Sequence, residues 1–171
     1  MRNAVLFALL AFPMQTACGK DSPAAEAPAE QATVAEVPDE EIFVAARFNR
    51  TARGWEKCGD DSGSLSYTPG TIEQRGDFNG DGLPDAVVTE GGTYCFGNTG
   101  GGYTLVSKQA DDTWRIMDEQ QGLLSFLTTT GTDGWPDISV GGPGFCFPVV
   151  RWNGSKYAPN RNEYEGKPCS M

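Results

Sequence analysis

There is no histidine anywhere among the 171 residues. That removes Ser/His/Asp and Cys/His nucleophile–base pairs and any histidine-bound zinc. Positive charge is also scarce, with 13 Lys and Arg against 23 Asp and Glu and a formal net charge of −10. Such a surface disfavours nucleic acid and suits a cation or a basic partner. Long hydrophobic runs are missing too. The uncharged apolar stretch at residues 4–12 is far shorter than the roughly 20 residues that a membrane-spanning helix requires. The five cysteines are scattered, with no two spaced for a metal cluster.

Arg2 and the apolar stretch after it lead to Thr16-Ala17-Cys18-Gly19 at the distance of a processing site. This arrangement resembles a bacterial lipoprotein signal. Ala17 fits that pattern, whereas Gln15 departs from its usual apolar residue. The resemblance implies a signal peptide at 1–17 and a lipidated, palmitate-bearing Cys18. It also implies a chain anchored to the bacterial outer membrane, facing the periplasm. The other reading is an ordinary cleaved signal with Cys18 as an incidental thiol. Residues 18–40 are mostly Ala, Pro and Glu, with few bulky side chains to offset the cost of ordering. We expect a tether there and one folded domain over 41–171. Without Cys18, the remaining Cys58, Cys95, Cys146 and Cys169 make two disulfides in an oxidising compartment. Pairing 58–95 with 146–169 would staple each half of the domain. Pairing 95–146 with 58–169 would join the halves, and both remain open.

Past residue 40 the chain is rich in Gly, Thr, Val and aromatic residues, broken by turn signals such as Pro69-Gly70 and Asn153-Gly154. A unit of about 50 residues is written twice. Asp81-Gly82-Leu83-Pro84-Asp85-Ala86-Val87-Val88 returns as Asp133-Gly134-Trp135-Pro136-Asp137-Ile138-Ser139-Val140. Each copy continues through paired glycines to an aromatic–Cys–Phe triplet, Tyr94-Cys95-Phe96 or Phe145-Cys146-Phe147. Motif to motif, the repeats run near 77–128 and 129–171. The pattern predicts strands over 85–89, 93–96, 103–108, 113–117 and 122–129, then over 137–140, 144–150 and 156–158. Residues 40–54 are ambiguous: Asp39-Glu40-Glu41 suits a helix start and Ile42-Phe43-Val44 suits a strand. The basic cluster Arg47, Arg50, Arg53 and Lys57 reads either as a solvated face balancing nearby acids or as a partner contact.

Asp77-Phe78-Asn79-Gly80-Asp81-Gly82-Leu83-Pro84-Asp85 sets hard oxygen ligands at alternate positions of a Gly-rich loop. Asp77, Asn79, Asp81 and Asp85 offer side-chain oxygens and Leu83 its carbonyl, a donor set suited to Ca²⁺. An EF-hand would need Glu at its twelfth position, where Val88 stands. The loop resembles the calcium-binding element of FG-GAP/VCBS repeat proteins. That resemblance implies Ca²⁺ between strands and a propeller-type fold. The second copy has Thr129 and Gly131 at the first and third positions, so weak or absent binding is expected there. Two units cannot close a full propeller. The expected fold is all-β, a small partial propeller-like or sandwich-like domain.

Catalysis has little support. Paired carboxylates could hydrolyse glycosides, but no spacing singles out two among Glu90, Asp111, Asp112, Asp118, Glu119, Glu163 and Glu165. Binding fits better, with Trp135, Phe145, Phe147 and Trp152 on or near Gly-rich turns as candidate contacts to an envelope protein or a cell-wall glycan. There is a family-level similarity to calcium-binding, propeller-like periplasmic inhibitors of lysozymes. It implies a cell-wall hydrolase as one possible partner. A purely structural envelope lipoprotein is the alternative.

Overall fold

A computed structural model describes residues 36–58 and 65–170; the expected signal peptide, Cys18 and most of the expected tether lie outside them. The first element is α1 (Asp39–Ala45), with Asp39, Glu40 and Glu41 in its first turn, where the helix dipole favours negative charge. Burial of Ile42, Phe43 and Ala46, with Val44 left exposed, follows helical spacing and resolves the ambiguity at 40–54. The helix also places Asp39 and Glu40 in the folded domain rather than in the tether. A short hairpin, β1 (Asn49–Thr51) with β2 (Gly54–Glu56), follows.

The described residues that follow are mostly β-strand. The first antiparallel sheet holds β3 (Thr68–Gly76), β4 (Asp85–Gly91), β5 (Gly101–Lys108) and β6 (Trp114–Gln121) in chain order. The second holds β7 (Leu123–Thr130), β8 (Pro136–Gly141), β9 (Phe147–Trp152), β10 (Tyr157–Tyr164) and β11 (Lys167–Pro168), also as a meander. Each sequence repeat is therefore one sheet, beginning one strand earlier than the motif-to-motif boundaries. The aspartate loops join β3 to β4 and β7 to β8. Cys58 pairs with Cys95 and Cys146 with Cys169, so each disulfide braces a different sheet.

Three local expectations are corrected. Residues Thr93–Phe96 form a helical turn, α2, between Gly92 at φ 153° and Gly97 at φ 51°. The chain reverses there to pair Gly91 with Gly101. Residues 144–146 are not strand, because Gly144 and Cys146 take positive φ and β9 starts at Phe147. Pro69-Gly70 lies inside β3 rather than in a turn. As β3 is an edge strand, Pro69 need not break a ladder bond.

Stacking of the two sheets separates the propeller-like from the sandwich-like reading. The 52-residue repeat makes Ala86, Val87 and Val88 equivalent to Ile138, Ser139 and Val140. Val87, Tyr103 and Leu105 share one core with Ile138, Val140, Val150 and Trp152. Ala86 and Val88 instead form a second core with Ile42, Phe43 and Phe48. The front of the first sheet thus meets the back of the second, as successive propeller blades do. A two-fold sandwich would bring equivalent faces together. Helix α1 and the β1–β2 hairpin cover the face where a preceding blade would stack.

Candidate metal centre

Between β3 and β4 the chain curls around its own acids. Asp77 accepts hydrogen bonds from the amides of Gly80 at 2.7 Å, Asp81 at 3.0 Å and Gly82 at 2.7 Å. Asp81 accepts from the Leu83 amide at 2.8 Å and the Asn79 side-chain amide at 2.9 Å. Gly80 and Gly82 sit at φ 81° and 83°, a backbone conformation that side-chain-bearing residues rarely adopt. The loop is anchored at both ends. Phe78 packs on Phe126, with ring centroids 4.7 Å apart, and the Pro84 carbonyl accepts the Lys108 amide at 2.9 Å.

Asp85 opens β4 and is only 1 % exposed. Its Oδ2 accepts the Phe78 amide at 2.8 Å, while Oδ1 is buried without a hydrogen-bond partner. Burial pushes its carboxyl up to about 7; Ser107 and the Phe78 amide oppose the rise, and the charges of Asp81 and Asp77 add to it. The Ser107 hydroxyl itself donates to the Lys108 carbonyl at 3.3 Å. Among the described residues no three His, Cys, Asp or Glu side chains converge as a ready-made metal cluster, and Asp77 is engaged with backbone amides. Capping of the turn accounts for Asp77, Asn79 and Asp81. It leaves the orphaned Asp85 oxygen unexplained, and a hard cation held by Asp77, Asn79, Asp81, Asp85 and the Leu83 carbonyl would satisfy it.

In the second copy the equivalent acid has partners. Asp137, fully buried, accepts Arg151 Nε at 2.8 Å on one oxygen and Arg151 Nη2 at 2.8 Å on the other. Its Oδ2 also accepts the Thr129 hydroxyl and Arg161 Nη1, each at 2.6 Å. Burial alone would raise this carboxyl, but hydrogen bonds from Arg151, Thr129 and Arg161 hold it well below the usual carboxylate range. Sequence reading passed over both arginines, since they reach Asp137 only through the register of β8, β9 and β10.

The aromatic candidates divide. Trp135 and Trp152 are each 3 % exposed and pack with Tyr157 in the core between the sheets. They are not surface contacts; the pairing of the sheets consumed them. Phe147 is half-buried against Tyr164. Phe145 is 77 % exposed, and Tyr94, its counterpart in the first triplet, is 70 % exposed. The repeat alignment was the signal that could have found Tyr94. Both residues ride on turns beside disulfides, and the turns are neighbours, with Gly142 beside Thr99.

The basic cluster is largely balanced locally. Arg53 pairs with Glu56 at 2.9 Å, Lys57 with Glu119 at 2.8 Å, and Arg50 lies over the Trp55 ring. Many of the carboxylates are similarly engaged. Glu90 accepts the amides of Lys57 and Cys58 and the Tyr67 hydroxyl, and Asp118 accepts Tyr103 and Gln120. No protein-family model, curated protein or solved structure matches the chain, so the reading of the site rests on its own geometry.

Proposed function

We propose that this chain is a calcium-stabilised, lipid-anchored envelope protein of the FG-GAP/VCBS type. In this reading it binds a protein or a cell-wall glycan, and catalyses nothing. Ca²⁺ in the 77–85 loop braces the first sheet, and Cys18 carries the lipid that holds the domain at the outer membrane, facing the periplasm. The observation that carries the binding reading is the exposure of Tyr94 and Phe145 on neighbouring turns beside disulfides. Rigid aromatic side chains held out of the core present large contact area at little entropic cost. Tyr94 follows β4 and Phe145 follows β8, each at the end of its strand away from the aspartate loop, so the ion supports the strand that presents Tyr94 and stays clear of the partner. The acidic surface favours a basic partner, and a cell-wall hydrolase restrained by this contact fits that description.

The test measures binding of the lipid-free domain to purified peptidoglycan and to basic muramidases, with residual hydrolase activity as a second readout. We expect retention or inhibition that falls at least about tenfold in a Tyr94→Ala/Phe145→Ala variant, on the scale of losing a buried interface anchor. Absence of binding to either class would support a structural lipoprotein. Turnover of glycan by the domain alone would overturn the non-enzymatic reading.

A further inference from the structure

We infer that Arg151 and Arg161 take, in the second repeat, the part that a bound cation takes in the first, and that they make the 129–137 loop independent of metal. The comparison rests on the calcium reading of residues 77–85, but its geometry lies wholly within the second sheet. In both repeats the ninth loop residue is a buried aspartate at the start of a strand, Asp85 on β4 and Asp137 on β8. The ladders show what stands beside each.

Asp85 lies opposite Ser107 on β5. Arg151 follows Val150, the partner of Ile138, and so occupies the place of Ser107 in the second sheet. One strand further out, Leu105 lies opposite Asp118, and its counterpart Val149 lies opposite Arg161. A hydroxyl and an acid in the first sheet thus become two guanidinium groups in the second. The first sheet has no cation to offer Asp85 from these positions, and one oxygen of Asp85 is left over. The second sheet saturates Asp137 with a bidentate Arg151, with Arg161 and with Thr129, all within 2.6–2.8 Å.

Sterics point the same way. At Gly131, which replaces Asn79, an added Cβ would lie 2.3 Å from the Trp152 carbonyl oxygen, so no side-chain ligand fits at the third position. This fully buried acid sits on the face of the second sheet turned away from the first. There Arg151 and Arg161 cross from neighbouring strands, and fixed charge does what an ion would do.

Thermal melting in EDTA and in calcium chloride tests this in an Asp81→Ala background, which disables the first loop. We expect that variant to melt at the same temperature in both. Adding Arg151→Gln keeps the stem over the sheet but removes the charge, and should lower the melting temperature by about 5–10 °C, as breaking a buried pair does. A further Asp137→Asn should recover more than half of that loss. If the combined variant does not fold, Arg151→Gln and Asp137→Asn in the otherwise native chain, held in calcium, give the same comparison. Residual calcium dependence in Asp81→Ala, a fall below about 1 °C, or no recovery with Asp137→Asn would each overturn the inference. A native chain indifferent to EDTA would refute the first-loop reading alone, since the arginine arms do not depend on it.

Discussion

At the scale of single residues, two aspartates at equivalent positions carry opposite electrostatic burdens. Asp85 is buried with an oxygen to spare, and Asp137 is buried with every oxygen engaged. Depression of the Asp137 carboxyl has a definite sign in stability. Its pKa in the folded chain lies below the unfolded value of about 3.9, so the contribution is complete above that pH and is lost as pH falls through the folded value. In EDTA, the acid limb of a melting-temperature profile below about pH 4 should therefore be steeper in the native chain than in Asp137→Asn. Superimposed profiles would show that the pair adds nothing. The acids of the 77–85 loop were legible because their spacing is local. Arg151 and Arg161 were not, because they lie 14 and 24 residues from Asp137 and meet it only across strands.

At the scale of elements, the duplication made both sheets legible, since each copy marks the loop that feeds its second strand. The first strand of each sheet was harder. β3 hides behind Pro69-Gly70, a pair that reads as a turn unless the strand is known to be an edge. Thr93–Phe96 misled in the other direction, because its aromatic and β-branched residues favour a strand while the flanking glycines impose a reversal. Helix α1 was undecidable from its sequence, since Ile42-Phe43-Val44 suits either state. Packing decided it, and the consequence is measurable. Phe43 stacks on Trp55 with ring centroids 5.0 Å apart and meets Phe48 edge-on at 5.9 Å, over a sheet face built from Ala86, Val88 and Val106. Phe43→Ala should destabilise the domain by about 3–4 kcal/mol, the usual cost of emptying a buried aromatic site, as read from urea unfolding. A loss under about 1 kcal/mol would mean that α1 is a dispensable cover.

At the scale of the whole molecule, two blade-like sheets stack front to back, and among the described residues each outer face is either covered or polar. Helix α1 and the β1–β2 hairpin close one face. The other carries Ser139, Arg151, Arg161 and Glu163, a polar finish suited to the last unit of an array. Capped in this way, a pair of repeats can stand alone where a propeller would need several more. On the proposed reading stability is distributed unevenly: the second sheet carries its own cations, and the first draws one from solution.

Calcium titration calorimetry on the native chain and on Asp81→Ala tests that asymmetry most directly. One ion per native chain and none for the variant is the expected result. Two ions per native chain, or no binding at all, would contradict it.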